Sequence, residues 1–186
     1  VYVVKTDMNG EIIWSRAYGG SDYDYGKAAC LAHDGGYIIA GNSGSMDGNL
    51  TGNNGFKDLW VFKLDDLGDI VWQFNYGGSH NEGIKSIIPT SDGGYLGVGT
   101  SQSNDGGVIG HHGEYGAPDI WVVKFDLTGN MLWNKCFGSS EFDYVEGAIE
   151  TQDGNYIFVG HSEGYDGEIG ITYGDYDVVL MKISTD

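Results

Sequence analysis

Positive charge is scarce in this chain. Nine Lys and Arg face 27 Asp and Glu, for a formal net charge of −18. Such a surface repels phosphate backbones and anionic headgroups, which argues against nucleic acid and lipid surfaces as partners. Long apolar runs are missing too: nothing approaches the ~18 residues of a membrane-crossing helix, so direct membrane insertion is not expected. Proline occurs twice in 186 residues. Cysteine also occurs twice, as Cys30 and Cys136. The two fall at non-equivalent places in the repeat described below and read as separate small hydrophobes. No long stretch has 3.6-residue periodicity with caps, so no helix is expected. No leader is visible, and the chain opens inside a strand-like pattern, so an upstream segment is expected.

Glycine, in contrast, is plentiful: 33 residues, against ~7% of an average protein. With no collagen period, it must serve turns and strand kinks. The glycines belong to an internal repeat. Trp14, Trp72 and Trp133 stand 58 and 61 residues apart, and Asp34, Asp92 and Asp153 keep the same spacing. So do Tyr37, Tyr95 and Tyr156, while Lys5, Lys63, Lys124 and Lys182 make four copies. Unrelated residue types holding one register mark a structural repeat.

Each unit reads as four short strands rich in Val, Ile, Trp, Tyr and Phe and bounded by Gly, Asn and Asp. In the middle copy these are 83–90, 95–101, 119–126 and 130–138. Four antiparallel strands at this period predict an all-β fold, a β-propeller of four-stranded blades. A solenoid competes, but a parallel β-helix would need a shorter period, and stacked sandwiches ~100 residues per unit. The chain begins and ends on the third strand of a unit. It divides into a two-stranded part (1–18), two full blades (19–76 and 77–137) and a three-stranded part (138–186), all within one propeller segment (1–186). Propellers usually hold ~4–8 blades, so further blades from the same or another chain are expected to close the ring.

Successive antiparallel strands put their connections on alternate faces. One face carries tight turns: "HDGG", "SDGG" and "QDGN" between first and second strands, and "DMNGE", "DDLGD" and "DLTGN" between third and fourth. The other carries the long loops 43–57, 101–118 and 162–176. Loops of that length are usually functional or disordered. Each contains an Asp-Gly pair (Asp47, Asp105, Asp166) and closes on a second Asp (Asp58, Asp119, Asp177). Two readings compete: these carboxylates cap turns, or each pair, with loop carbonyls, holds Ca²⁺, a hard ion wanting ~6–8 oxygens.

Lys5, Lys63, Lys124 and Lys182 hold one repeat position; Lys63 lies between apolar neighbours, and a buried lysine needs a partner. The series Asp58/Asp119/Asp177 or Asp34/Asp92/Asp153 would supply it, as a structural ion pair. Trp14, Trp72 and Trp133, with Trp60 and Trp121, are expected to pack blade on blade. Phe56, Tyr115, Tyr165 and Tyr173 stand in the long loops, where they could stack on sugar. An enzyme is the competing class. A single arginine, Arg16, argues against sialidase chemistry, and no acid is uniquely flanked by apolar residues as a raised-pKa general acid should be. The adjacent His111 and His112 are the best case for a transition metal, though an extended chain would point them apart.

The segment "DGGYLGVGTS…DIWVVKFDLTGNMLWNKCFG" resembles the secreted bacterial β-propeller repeats, the SBBP-type family and related Gly/Asp-rich surface-protein repeats. The resemblance covers essentially the whole chain and rests on D-G-[GN]-Y, D-x-[WV]-V-x-[KM] and D-x-x-G-x-x-x-W. It implies multi-bladed rings in exported or cell-surface proteins and carries no agreed catalytic residues. The D-x-x-G-x-x-x-W segments also look like the tryptophan-docking motif of quinoprotein propellers, one residue short, which suggests similar docking without implying a quinone. The expected function is a non-catalytic extracellular module acting as scaffold, adhesin or ligand-binding domain, with carbohydrate or a surface protein as partner. The alternatives are a calcium-stabilised carbohydrate-binding propeller and a propeller glycosidase or lyase.

Overall fold

The computed structural model describes residues 1–50, 52–113, 116–170 and 173–184. Among these, regular structure is entirely β. Strands β1 (Tyr2–Thr6) and β2 (Ile12–Ala17) form a first, two-stranded sheet. The second sheet holds β3 (Asp24–Leu31), β4 (Tyr37–Ser43), β5 (Asp58–Leu64) and β6 (Ile70–Tyr76). The third holds β7 (Glu82–Pro89), β8 (Tyr95–Ser101), β9 (Asp119–Phe125) and β10 (Met131–Phe137). The fourth holds β11 (Asp143–Glu150), β12 (Tyr156–Ser162) and β13 (Asp177–Ile183). All pairings are antiparallel and follow chain order. Grouping by two, four, four and three strands is what the repeat spacing predicts, and β8 matches its predicted bounds to the residue.

The third strand of each full sheet decides how the sheets associate. All seven residues of β5 and all seven of β9 are buried. A strand apolar on both faces is stable only with both faces covered. Alternation along β5 sends Trp60, Phe62 and Leu64 into a core with Tyr18 and Val3 from the first sheet's side. Leu59 and Val61 point the other way, into a core with Ile84, Tyr95, Trp121 and Phe125 of the third sheet. From β9, Ile120 and Val122 meet Val145, Tyr156 and Phe158 of the fourth. Four sheets thus enclose three successive cores. Cys30 and Cys136, both free thiols, lie along the middle one.

The first strands β3, β7 and β11 pack beside one another. Each has a β-bulge at the same repeat position, between Gly26 and Ala28, Ile84 and Ser86, and Val145 and Gly147. A bulge leaves one residue outside the ladder and sharpens the local twist. The residues so displaced are Lys27, Lys85 and Glu146.

At the tight-turn face, the first sheet grips the second and the second grips the third. The Trp14 indole donates to the Asp66 carbonyl at 2.9 Å, and the Tyr18 hydroxyl donates to the Gly68 carbonyl. One repeat on, the Tyr76 hydroxyl donates to the Gly129 carbonyl at 3.0 Å. The gripped glycines need positive φ, +82° at Gly68 and +86° at Gly129. They also need to lack a side chain: a Cβ on Gly129 would lie 2.5 Å from the Trp72 ring, and one on Gly68 3.2 Å from Trp14. Trp14 and Trp72 therefore pack sheet on sheet, while Trp133 lies against the core between the third and fourth sheets.

Gly10 shares the φ of Gly129 but faces open space, so it separates the two requirements. Gly10→Ala should cost about 1 kcal/mol through its backbone conformation alone. Gly129→Ala must also displace Trp72 and should cost about 3 kcal/mol. Equal shifts in urea unfolding would mean that the tryptophan contact contributes nothing.

Candidate functional site

The repeated lysines choose the tight-turn aspartates. Lys63 pairs with Asp34, Lys124 with Asp92 at 2.9 Å and Lys182 with Asp153 at 2.6 Å. Lys5 instead reaches Asp66 of the second sheet at 3.2 Å. The side chains of Lys63 and Lys124 are 7% and 3% exposed, against 49% for Lys182. The difference follows from the cross-strand tryptophan: Trp72 stands opposite Lys63 and Trp133 opposite Lys124, whereas no strand among the described residues pairs with the far side of β13. Lys124 also donates to Thr90 Oγ1 at 3.0 Å and to the Phe125 carbonyl at 3.3 Å. Desolvation works to raise the Asp92 carboxyl, but bonds from Thr90, Lys124 and Gly94 outweigh it and hold the group down at about 2.

On the loop face, the Asp-Gly carboxylates cap the turns that lead into the first strands. Asp47 accepts from the Ser21 N–H at 2.6 Å, Asp105 from Ser79 at 2.7 Å and Asp166 from Ser140 at 2.8 Å. The loop-closing carboxylates accept from their own loops: Asp58 from the Asn54 N–H at 2.7 Å, Asp119 from His112 and Gly113 at 2.8 and 3.0 Å, and Asp177 from Tyr173 and Gly174. The expected pairs are not joined. Asp47 touches the turn at Gly20, whereas Asp58 touches Gly77 of the next sheet's turn, beside Glu82. Likewise Asp119 meets Asp143 at Gly138. Among the described residues, no group of three or more His, Cys, Asp or Glu could hold a metal ion. His111 and His112 do not splay apart: both approach Asp119, His112 Nδ1 at 2.9 Å and His111 Nε2 at 3.8 Å.

Glu82 and Asp143 escaped the sequence reading. Glu82 is 1% exposed; it accepts from the Gly78 N–H at 2.6 Å and from Ser101 Oγ at 2.8 Å. Asp143 is fully buried and accepts from the Ser139 N–H and hydroxyl at 2.6 and 3.1 Å. The available signal was an acid in each first strand (Asp24, Glu82, Asp143) in register with a serine ending each second strand (Ser43, Ser101, Ser162). Burial and then the charge of Glu82 raise Asp58 to about 6, and burial raises Asp143 as well. Asp58 Oδ1 is buried without a hydrogen-bond partner.

The open chemistry lies where the first strands reach the loop face. A cavity of about 350 Å³ there is lined by Lys27, Asn42, Gly83, Thr100, Tyr144 and His161, among others. A second, of about 210 Å³, shares Asn42, Gly83, Thr100 and Tyr144 with it, so the two form one groove. Gly83 holds the repeat position of Tyr25 and Tyr144, and a Cβ there would meet nothing within 4 Å. The groove exists because the third sheet lacks the aromatic that its neighbours carry. On one wall Tyr144 stacks near His161, with centroids 5.2 Å apart, and His161 meets Tyr176 at 5.4 Å. Tyr25, the strand partner of Asn42, lies next to the groove and stacks near Tyr23 at 6.3 Å. Lys85 and Glu146 form an ion pair across it at 2.7 Å.

Of the loop aromatics proposed from sequence, Tyr165 and Tyr173 line one cleft with Glu141, Glu163 and Tyr176. Phe56 is elsewhere, 70% exposed and edge-on to His80. Tyr115 lies outside the described residues. No protein-family model matches the chain, and no curated protein matches it.

The lysine pairs differ most in cover, so their partners should differ in worth. Asp92→Ala leaves Lys124 buried without its counter-charge and should cost about 3 kcal/mol. Asp153→Ala should leave the urea midpoint unmoved, because Lys182 stays hydrated. Similar losses at both positions would contradict this.

Asp58 predicts a pH dependence. An unfolded chain carries this carboxyl at its ordinary value near 4, and the fold raises it to about 6. The folded state therefore holds the proton more tightly, and this group's contribution to stability falls as pH rises from about 4 to about 6, by roughly 3 kcal/mol at most. Asp58→Asn should remove that fall. Parallel stability–pH curves for the two proteins over this window would refute the assignment.

Proposed function

We propose that this chain is a segment of a β-propeller serving as a non-catalytic binding module of an exported or cell-surface protein, with its ligand in the groove over Gly83. Three features support the propeller reading. Sheets follow one another in chain order, and the first two each pack a tryptophan on the glycine turn of the next. Their first strands gather side by side, as blades do around an axis. All three of those strands bulge at one position, which supplies the twist that a radial arrangement needs. Export rests on the resemblance to secreted propeller repeats and agrees with the acidic surface.

The observation that carries the binding role is the groove: a recess made by one absent side chain, with Tyr144 and His161 on its wall and Tyr25 next to it beside Asn42. Aromatic faces with hydrogen-bonding groups between them suit a saccharide. A catalytic role finds less support. Asp58 and Asp143, whose carboxyls are raised as a general acid requires, are wholly buried beneath the turns preceding β7 and β11, out of a substrate's reach.

Presented with a panel of neutral and acidic polysaccharides, the chain should retain at least one without releasing new reducing ends. Gly83→Phe, which fills the groove from an open position, should abolish retention and leave the melting temperature unchanged. Retention undiminished in Gly83→Phe would move the site elsewhere, and progressive release of reducing ends would make the module an enzyme.

A further inference from the structure

The binding reading leaves the ligand's charge open, and the distribution of the nine basic residues addresses it. Seven have carboxylate partners: Lys5, Arg16, Lys63, Lys85, Lys124, Lys135 and Lys182. The other two, Lys27 and Lys57, have none among the described residues. In a chain where acids outnumber bases 27 to nine, leaving two cations without a counter-ion is costly to arrange by chance. These two also stand together. Each ammonium lies 5.3 Å from the centroid of the same ring, Tyr25.

Resting on the binding role above, we infer that the groove recognises an anionic saccharide, with Lys27 and Lys57 pairing its acidic substituent across the face of Tyr25. The two lysines reach this point by different routes. Lys27 is the residue that the β3 bulge pushes out of the ladder. Lys57 precedes β5, and its backbone is tied to the third sheet, where its carbonyl accepts from the Glu82 N–H at 2.6 Å. Two like charges on one ring repel each other, and the ring face offsets only about 1 kcal/mol per cation at an exposed site. An anion between them relieves the repulsion. Tyr25 itself is 41% exposed and available for stacking. Beyond it, the Asn42 and Thr100 side chains line the groove with no hydrogen bond to another described residue, as groups awaiting sugar hydroxyls would. Lys27 lines the same cavity. Of the acids that line the groove, Glu146 is paired with Lys85 and Glu82 is buried against Ser101 and the Gly78 N–H; acids farther off are screened at physiological salt beyond about 8 Å.

The carboxylate of a uronic acid and the sulfate ester of a sulfated sugar offer the same charge, so both belong in the test. Titrations of the chain with polygalacturonate, dextran sulfate and neutral dextran, followed by calorimetry, should show binding to one or both polyanions and none to dextran. Which polyanion binds identifies the acidic group. Combining Lys27→Gln and Lys57→Gln should weaken that binding at least tenfold. The melting temperature should stay constant, since neither lysine holds an ion pair. Undiminished polyanion binding by the double variant overturns the inference, as does wild-type binding of dextran equal to that of the polyanions. If either result accompanies loss of binding in Gly83→Phe, the groove stands and only the charge assignment falls. Binding of none of the three refutes both.

Discussion

The third strand of each full sheet is apolar on both faces, and the rest of the structure depends on covering it. Neither β5 nor β9 can hide its side chains within its own sheet, because a sheet has only edges to offer them. A neighbouring sheet on each side is the only cover. Stability is therefore shared: Trp60 and Phe62 are buried by the first sheet, Leu59 and Val61 by the third. The grip of tryptophan on the following glycine turn sets how closely the sheets approach, while the cross-strand tryptophans Trp72 and Trp133 cover Lys63 and Lys124. One arrangement thus determines the core, the turn glycines and the buried ion pairs.

Much of this was legible in the sequence because the repeat states it several times. The turn motifs fix strand ends, and the period fixes how strands group. What stayed hidden was contact between copies. Asp47 and Asp58 bracket one loop, so sequence proximity paired them, yet the loop carries Asp58 to the next sheet's turn at Gly77. An extended dipeptide would point His111 and His112 apart, but the chain there bends so that both reach Asp119. The lysine partners were narrowed to two series and no further, since both series recur at the same period. Only spatial position separates them.

The buried acids show the limit of a repeat as evidence for chemistry. Asp58 with Glu82 and Asp119 with Asp143 each place two carboxyls at one turn. Their hydrogen bonds come from turn N–H groups and serine hydroxyls, which hold the turn in place below the loops. Such pairs resemble catalytic dyads in composition, but they recur at successive seams and are closed to solvent. A perturbed carboxyl is evidence for a reaction only where a substrate can reach it.

Departures from the repeat are more telling about function than the repeat itself. Positions that carry the scaffold hold one residue type throughout: the turn glycine, the tryptophan, the lysine and its aspartate. Several positions that line the groove are ones where the copies disagree. Tyr25, Gly83 and Tyr144 are equivalent, as are Asn42, Thr100 and His161, and Lys27, Lys85 and Glu146. Variation at a bulge leaves the ladder intact, because the displaced residue pairs with nothing. A repeating scaffold can therefore be specialised at its first strands without disturbing the packing that holds it together, and a single glycine in place of tyrosine is enough to open a recess there.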